Sequence, residues 1–268
     1  MNNAISRIVV AAVGLPIVLG AAYLGGWWML ALVTVAGVLA LDELYRGGRQ
    51  FRPLTLAGFA GLLAVLAGSH LGGPGWMVAG VVLTLPLAFV FVLFAETRQA
   101  ATVSLSFTLL GVVWIGLGLG YLILLRDIPE HGRDALFALL LAVFATDTFA
   151  YLAGRLAGRR KMAPSLSPGK SWEGFVGGAI GGIFVTWVWL YSVEGFVDQW
   201  QAVALGAAIV LASTVGDLME SLFKRNVGLK DTGSLLAGHG GVFDRIDSLL
   251  VASPAGYYVL AAFDVTPL

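Results

Sequence analysis

The chain has 268 residues, 58% of them hydrophobic and only 12% charged, and its 16 basic and 16 acidic side chains leave no net charge. A soluble domain carries about 25% charged residues, so this composition argues against one, and without excess basic charge no nucleic-acid partner is expected. With no cysteine, disulfides, thiolate catalysis and cysteine metal sites are excluded.

A hydrocarbon core of roughly 30 Å takes about 20 apolar residues per helix. Nine stretches qualify in chain order: 8–26, 27–44, 54–72, 74–95, 105–125, 135–157, 174–193, 200–222 and 246–263. The first reads as a span rather than a cleaved signal, because it is long, lacks a small-residue cleavage site and is followed at once by another span. Gly25, Gly26, Trp27 and Trp28 join the first two spans in a tight turn whose aromatics suit the interface. Gly72, Gly73, Pro74 and Gly75 join the third and fourth. The 36 glycines suit membrane helices packed backbone to backbone. The predicted fold class is therefore all-α, a polytopic integral membrane helical bundle of about nine transmembrane helices. It forms a single membrane domain over 1–268, with weak motif content in 1–134 and the catalytic spans and loops in 135–263.

Starting the nine spans with the N-terminus in the cytoplasm puts Arg7, Arg46, Arg49, Arg52, Arg98, Arg155, Arg159, Arg160, Lys161, Lys170, Lys224, Arg225, Lys230 and Arg245 on the cytoplasmic side. Arg126 and Arg133 fall on the other. This is a strong positive-inside bias. It predicts that 159–172 and 227–243 are cytoplasmic and 126–134 external.

Acidic groups inside spans are costly in lipid and call for a reason. Asp147 lies within the sixth span, and Asp217 and Glu220 lie in the last turns of the eighth. Asp217, Glu220, Ser221 and Lys224 have the spacing of one helix face. Asp244 and Asp247, one turn apart, open the ninth. One reading is that the last two merely favour the positive end of their helix, with Lys224 and Arg225 as juxtamembrane cations. The other rests on convergence: three helices bring carboxylates to one depth on one side. Clustered carboxylates repel one another unless a hard cation joins them, and magnesium is the expected cofactor. Asp217 and Asp244 are the leading metal ligands, with Asp247 and Asp147 as candidates for a second cation or for support. Lys170, Lys224, Arg225, Lys230 and Arg245 lie on the same membrane side. A metal with Lys and Arg is the equipment of phosphoryl or nucleotidyl transfer.

Two loops add donors. Residues 165–171 run into Trp172, Glu173 and Gly174 at a helix start, where Ser167, Lys170 and Ser171 could hold phosphate or simply form a capped turn. Gly238, His239, Gly240 and Gly241 form a second loop that approaches a ligand closely because glycine has no Cβ. His239 reads either as a polar contact or as a catalytic group.

Ser221 to Arg225, then Lys230 to Gly233, then His239 to Asp247, resembles the signature of the phosphatidate cytidylyltransferases, or CDP-diacylglycerol synthases. Ala237 departs from the proline or glycine usual there, at a position that carries no chemical group. Residues 147–151, 167–174 and 216–221 are also similar to family segments. The resemblance implies transfer of a cytidylyl group from CTP to phosphatidate, giving CDP-diacylglycerol and pyrophosphate. In phospholipid biosynthesis this takes place at the cytoplasmic face of a bacterial inner membrane. It implies Lys224, Arg225, Asp231, His239 and Arg245 as catalytic residues. Ser167, Lys170, Ser171, Ser221, Lys230, Gly240 and Gly241 are the implied substrate contacts. Membrane lipid is an expected partner, and a homodimer and a second cation are further expectations. Competing readings are another lipid cytidylyltransferase, a CTP-dependent lipid-alcohol kinase and an ion-coupled transporter. The carboxylates lie toward one face beside basic loops, which argues against the transporter.

Overall fold

A computed structural model describes residues 3–94, 100–233 and 240–266, with the side chains of 3–11 and 13 left aside. Most of it is helix, as expected of a chain whose backbone must satisfy itself in lipid. Six helices among the described residues are long and apolar enough to cross a membrane. The sequence predicts nine spans. Part of the difference is that one of the six, Thr55–Leu93, is two of the expected spans merged across a break at Gly73, whose φ of 72° admits no helix. The last helix, Phe243–Ala262, is not among the six, and Asp244, Arg245 and Asp247 load its first turns with charge.

The chain divides into two compact units, residues 1–127 with 226–246 and residues 128–225 with 247–268. The first holds α1 (Asn3–Leu24), α2 (Gly26–Gly47), α3 (Thr55–Leu93), α4 (Ala101–Gly111) and α5 (Gly118–Arg126). The π-helical residues Val112–Leu117 join the last two into one long helix. Gly25 and Gly26 both take positive φ, which lets α1 reverse into α2 within two residues. Arg126 closes this turn: its guanidinium donates to the Ala22 and Tyr23 carbonyls at 2.7 and 2.8 Å, satisfying groups that the end of α1 leaves without partners. Within α3, a Cβ on Gly80 would meet the backbone of Val65 at 2.7 Å, and one on Gly68 the Trp76 carbonyl at 2.6 Å. Small residues thus let the two halves pack closely. Leu41, Leu44, Leu62, Leu66, Met77, Ile115 and Leu119 form the buried core. Leu71, Trp76, Val82 and Leu83 stay exposed, as a lipid-facing surface requires.

The second unit holds α6 (Gly132–Ala157), a hairpin of β1 (Lys161–Ala163) and β2 (Ser167–Ser171), α7 (Trp172–Tyr191), α8 (Gln199–Asn226, to Arg225) and α9 (Phe243–Ala262, from Asp247). The antiparallel strands pair Lys161 with Ser171 and Ala163 with Ser167. Residues 165–171, expected to be loop, thus include a strand, although Pro168 and Gly169 are poor strand formers. Gly174 and Gly178 of α7, one turn apart, set its approach to α6. A Cβ on them would meet the Ala150 and Thr146 carbonyls at 2.9 and 2.7 Å. Gly216 does the same for α8 on α9, where a Cβ would lie 2.7 Å from the Asp247 carbonyl.

Candidate active site

The second unit gathers most of the expected polar groups. Ser171 ends β2 in extended conformation and caps α7, its Oγ accepting from Gly174 N–H at 3.1 Å. The expected phosphate loop is therefore a strand running into a capped helix, and the buried Ser171 hydroxyl is engaged in the cap. Glu173, two positions on, accepts from the Arg159 and Arg160 amides at 3.1–3.3 Å, closing the chain on the other side of the hairpin. Arg225 Nε donates to the Leu166 carbonyl at 3.2 Å, which ties the end of α8 to the hairpin turn.

Between these elements lies a cavity of about 430 Å³. Its lining includes Asp147, Tyr151 and Arg155 of α6, Lys170 of β2, Phe175 of α7 and Asp217 of α8. Ser167 and Ser171 also line it. Arg155 donates to the Tyr151 hydroxyl at 3.0 Å, so a cation stands on the cavity wall beside an aromatic ring. Lys170 forms an ion pair with Asp217.

Gly216 brings α8 against α9 and so sets Asp217 and Asp247 near one another. Oxygen atoms of Asp217, Glu220 and Asp247 all lie within 4.8 Å of one another. Glu220 is 1% exposed and Asp247 9%. Lys224 meets Glu220 at 2.5 Å one turn along α8, while Asp247 accepts from Ser248 N–H at 2.6 Å. Carboxylates packed this closely repel, and the structure answers with a lysine on Asp217 and another on Glu220. Three convergent carboxylates form a hard oxygen donor set, which suits magnesium. Glu220 is a member that the sequence reading places on this face but not among the ligands. Ser221, its neighbour, is also buried.

In the first unit, Asp244 behaves differently. Its carboxylate accepts from Gly241 N–H at 2.7 Å and Thr232 N–H at 3.1 Å. Gly240 has a φ of 81°, and a Cβ there would lie 2.7 Å from Asp244 Oδ2. The expected reason for these glycines is close approach of a ligand. The structure gives a second reason, since Gly240 makes room for Asp244 and Gly241 for Glu43. Lys230, Asp231 and Arg245 are exposed. His239, Gly238 and Ala237 lie outside the described residues.

The sequence reading does not single out Glu43. It lies inside the second expected span, so the rule that flags Asp147 applies to it equally. It is buried, and it accepts from the Val242 and Phe243 amides.

Comparison with known proteins bears on this arrangement. A sequence profile described as the cytidylyltransferase family matches residues 5–263. A phosphatidate cytidylyltransferase of Staphylococcus haemolyticus (strain JCSC1435) is 31% identical over 252 residues, covering 92% of this chain and 95% of the relative. One of Staphylococcus saprophyticus is 32% identical over 254 residues, covering 93% and 95%. One of Haemophilus influenzae is 43% identical over 136 residues, 47% of this chain and 45% of the relative. The family profile spans the residues of the cavity, the acidic cluster and Glu43, and the chain belongs to the cytidylyltransferase family, which makes it a nucleotidyltransferase.

Proposed function

We propose that this enzyme is a phosphatidate cytidylyltransferase of phospholipid biosynthesis, converting CTP and phosphatidate to CDP-diacylglycerol and pyrophosphate. The observation that carries this reading, beside the family, is the convergence of Asp217, Glu220 and Asp247 with Lys170 and Lys224 in one membrane unit. A phosphatidate oxygen attacks the α-phosphorus of CTP, the bond to the bridging oxygen breaks, and pyrophosphate leaves with the electron pair. The phosphatidate phosphate is already ionised at neutral pH, so no strong general base is required. Magnesium, when bound, supplies charge neutralisation for the triphosphate.

Asp217, Glu220 and Asp247 are the proposed holders of that ion. Asp244 is proposed as a metal-binding carboxylate of the signature in its own right, through the lone pairs that its two backbone donors leave unused. Asp147, on the cavity wall beside Lys170 and Asp217, is the candidate for a second cation. Lys170 and Lys224 exchange their carboxylate partners for phosphate oxygens when CTP binds, which keeps each charge compensated. Arg225 holds the hairpin, and Lys230 and Arg245, both exposed, are the proposed further contacts of the triphosphate.

We further infer nine spans with a cytoplasmic N-terminus and the site at the cytoplasmic face of a bacterial inner membrane. The asymmetry of Lys and Arg supports this. The acyl chains then stay in the leaflet while the head group meets soluble CTP. Single cysteines placed in the cysteine-free chain at 159–161 and 128–130 check it, and an impermeant thiol reagent on intact cells should label only the second set.

The test of the activity is purified protein in detergent with labelled CTP, phosphatidate and magnesium. Label should enter the lipid phase only when all three are present. Labelling of a lipid alcohol in place of phosphatidate, or none, contradicts the reading.

A further inference from the structure

Glu43 has 7% of its surface exposed. A carboxylate buried that deeply is costly unless strong donors meet it. Its donors come from the far end of the chain: Val242 N–H reaches Oε1 at 3.0 Å and Phe243 N–H reaches Oε2 at 2.9 Å. These amides open α9, where helical geometry leaves the first N–H groups without acceptors. Val242 stands just before the helix, and valine has no side-chain oxygen with which to cap it. Glu43 therefore supplies the missing cap from another helix.

Two glycines of the signature make this possible. A Cβ on Gly233 would run into Oε1 of Glu43, and one on Gly241 into Oε2. Asp244 grips the same stretch from inside, through the Thr232 and Gly241 amides. Glu43 and Asp244 together fix residues 232–233 and 240–243, the two flanks of the signature loop.

We propose that Glu43 is a positioning residue for the transfer reaction, holding the first turn of α9 so that Asp244 and Arg245 are presented in one orientation. The inference rests on the functional reading of those two residues given above. A carboxylate is needed because both of its oxygens accept. Glutamine has one accepting oxygen, and its NH2 group would face an N–H donor. Misplacing a group that aligns reactants by about 1 Å costs roughly a hundredfold in rate, so loosening this turn acts on turnover.

The experiment compares full-length wild-type protein, Glu43→Gln and Gly233→Ala in one detergent. Gly233→Ala keeps the carboxylate but crowds it. Each is measured for kcat and for the KM of CTP at saturating magnesium, for thermal unfolding, and for hydrogen exchange at Val242 and Phe243. Both variants should exchange those two amides about tenfold faster or more, while α2 and α3 stay protected. Their kcat should fall at least about tenfold well below the unfolding range, with the KM for CTP within about threefold. A role confined to stability would lower the unfolding temperature and leave kcat per folded molecule intact, and that result overturns the proposal. So does unchanged amide exchange in both variants. If Glu43→Gln does not fold, Gly233→Ala decides alone. Wild-type protein inactive toward phosphatidate would overturn the activity reading and the positioning role with it. An active wild type with unaltered kcat in the variants overturns the positioning role alone.

Discussion

The two units use their carboxylates in opposite ways. In the first, Glu43 and Asp244 take their hydrogen bonds from backbone amides of 232 and 241–243. In the second, Asp217, Glu220 and Asp247 crowd one another, and lysine side chains meet two of them. A backbone amide cannot leave its place, so carboxylates of the first kind shape the chain. A lysine on a flexible stem can turn to another anion, so carboxylates of the second kind can exchange partners for a cation and a phosphate. The contrast gives Glu43 an architectural role and makes Asp217, Glu220 and Asp247 the proposed chemical set, while Asp244 both shapes residues 232 and 241 and belongs to the proposed reaction.

The largest expected effect breaks the chemical set. Asp217→Asn removes a charged ligand while keeping its shape, and turnover at saturating magnesium should fall about a hundredfold or more. Labelled-CTP assays on inserted protein check this, and turnover near the wild-type level would reject the assignment.

A second comparison sharpens the difference within one helix. Lys224 shares the α8 face of Glu220, whereas Arg225 donates to the Leu166 carbonyl. Neighbours on a helix point about 100° apart, so only one of the two can face the cluster directly. Lys224→Ala should lower kcat/KM for CTP by about tenfold or more, and Arg225→Ala by a smaller factor. Steady-state kinetics of the two variants in the same detergent decide it, and an Arg225→Ala loss equal to or above that of Lys224→Ala contradicts the division of roles.

Much of the chemical set is legible in the sequence. The cost of acid in lipid points to Asp147 and Asp217, and helical spacing puts Glu220 and Lys224 on the same face, as α8 shows. The expected spans 27–44, 135–157 and 200–222 lie inside Gly26–Gly47, Gly132–Ala157 and Gln199–Asn226. The architectural set is much less legible. Glu43 and the amides it binds are about 200 positions apart, and no periodicity links them. Gly241 reads as a ligand-approach glycine until the carboxylate that fills its space is seen, and Gly233 has no reading of its own beyond its place in the signature. The hairpin was hidden by its prolines and its short strands, and the π-helical Val112–Leu117 has no local signal at all.

Two smaller effects test the scaffold under the site. Gly178→Ala would push a methyl group into the Thr146 carbonyl, 2.7 Å away, where only backbone movement gives relief. It should destabilise the second unit by about 1–3 kcal/mol, read as a lower thermal midpoint in detergent. Ser171→Ala removes the cap of α7 and should cost about 1 kcal/mol, whereas Ser171→Asp, which can still accept from Gly174 N–H, should recover most of it. Equal midpoints for Ser171→Ala and wild type would show that the cap contributes nothing.

The claim that Asp217, Glu220 and Asp247 form a divalent-cation site is tested most directly by manganese binding, followed by electron paramagnetic resonance on purified protein without nucleotide. Wild-type protein should quench the signal of free manganese in a saturable way, and Asp217→Asn and Asp247→Asn should each weaken binding by about tenfold or more. Binding that is unchanged in both variants would contradict the assignment of the cluster.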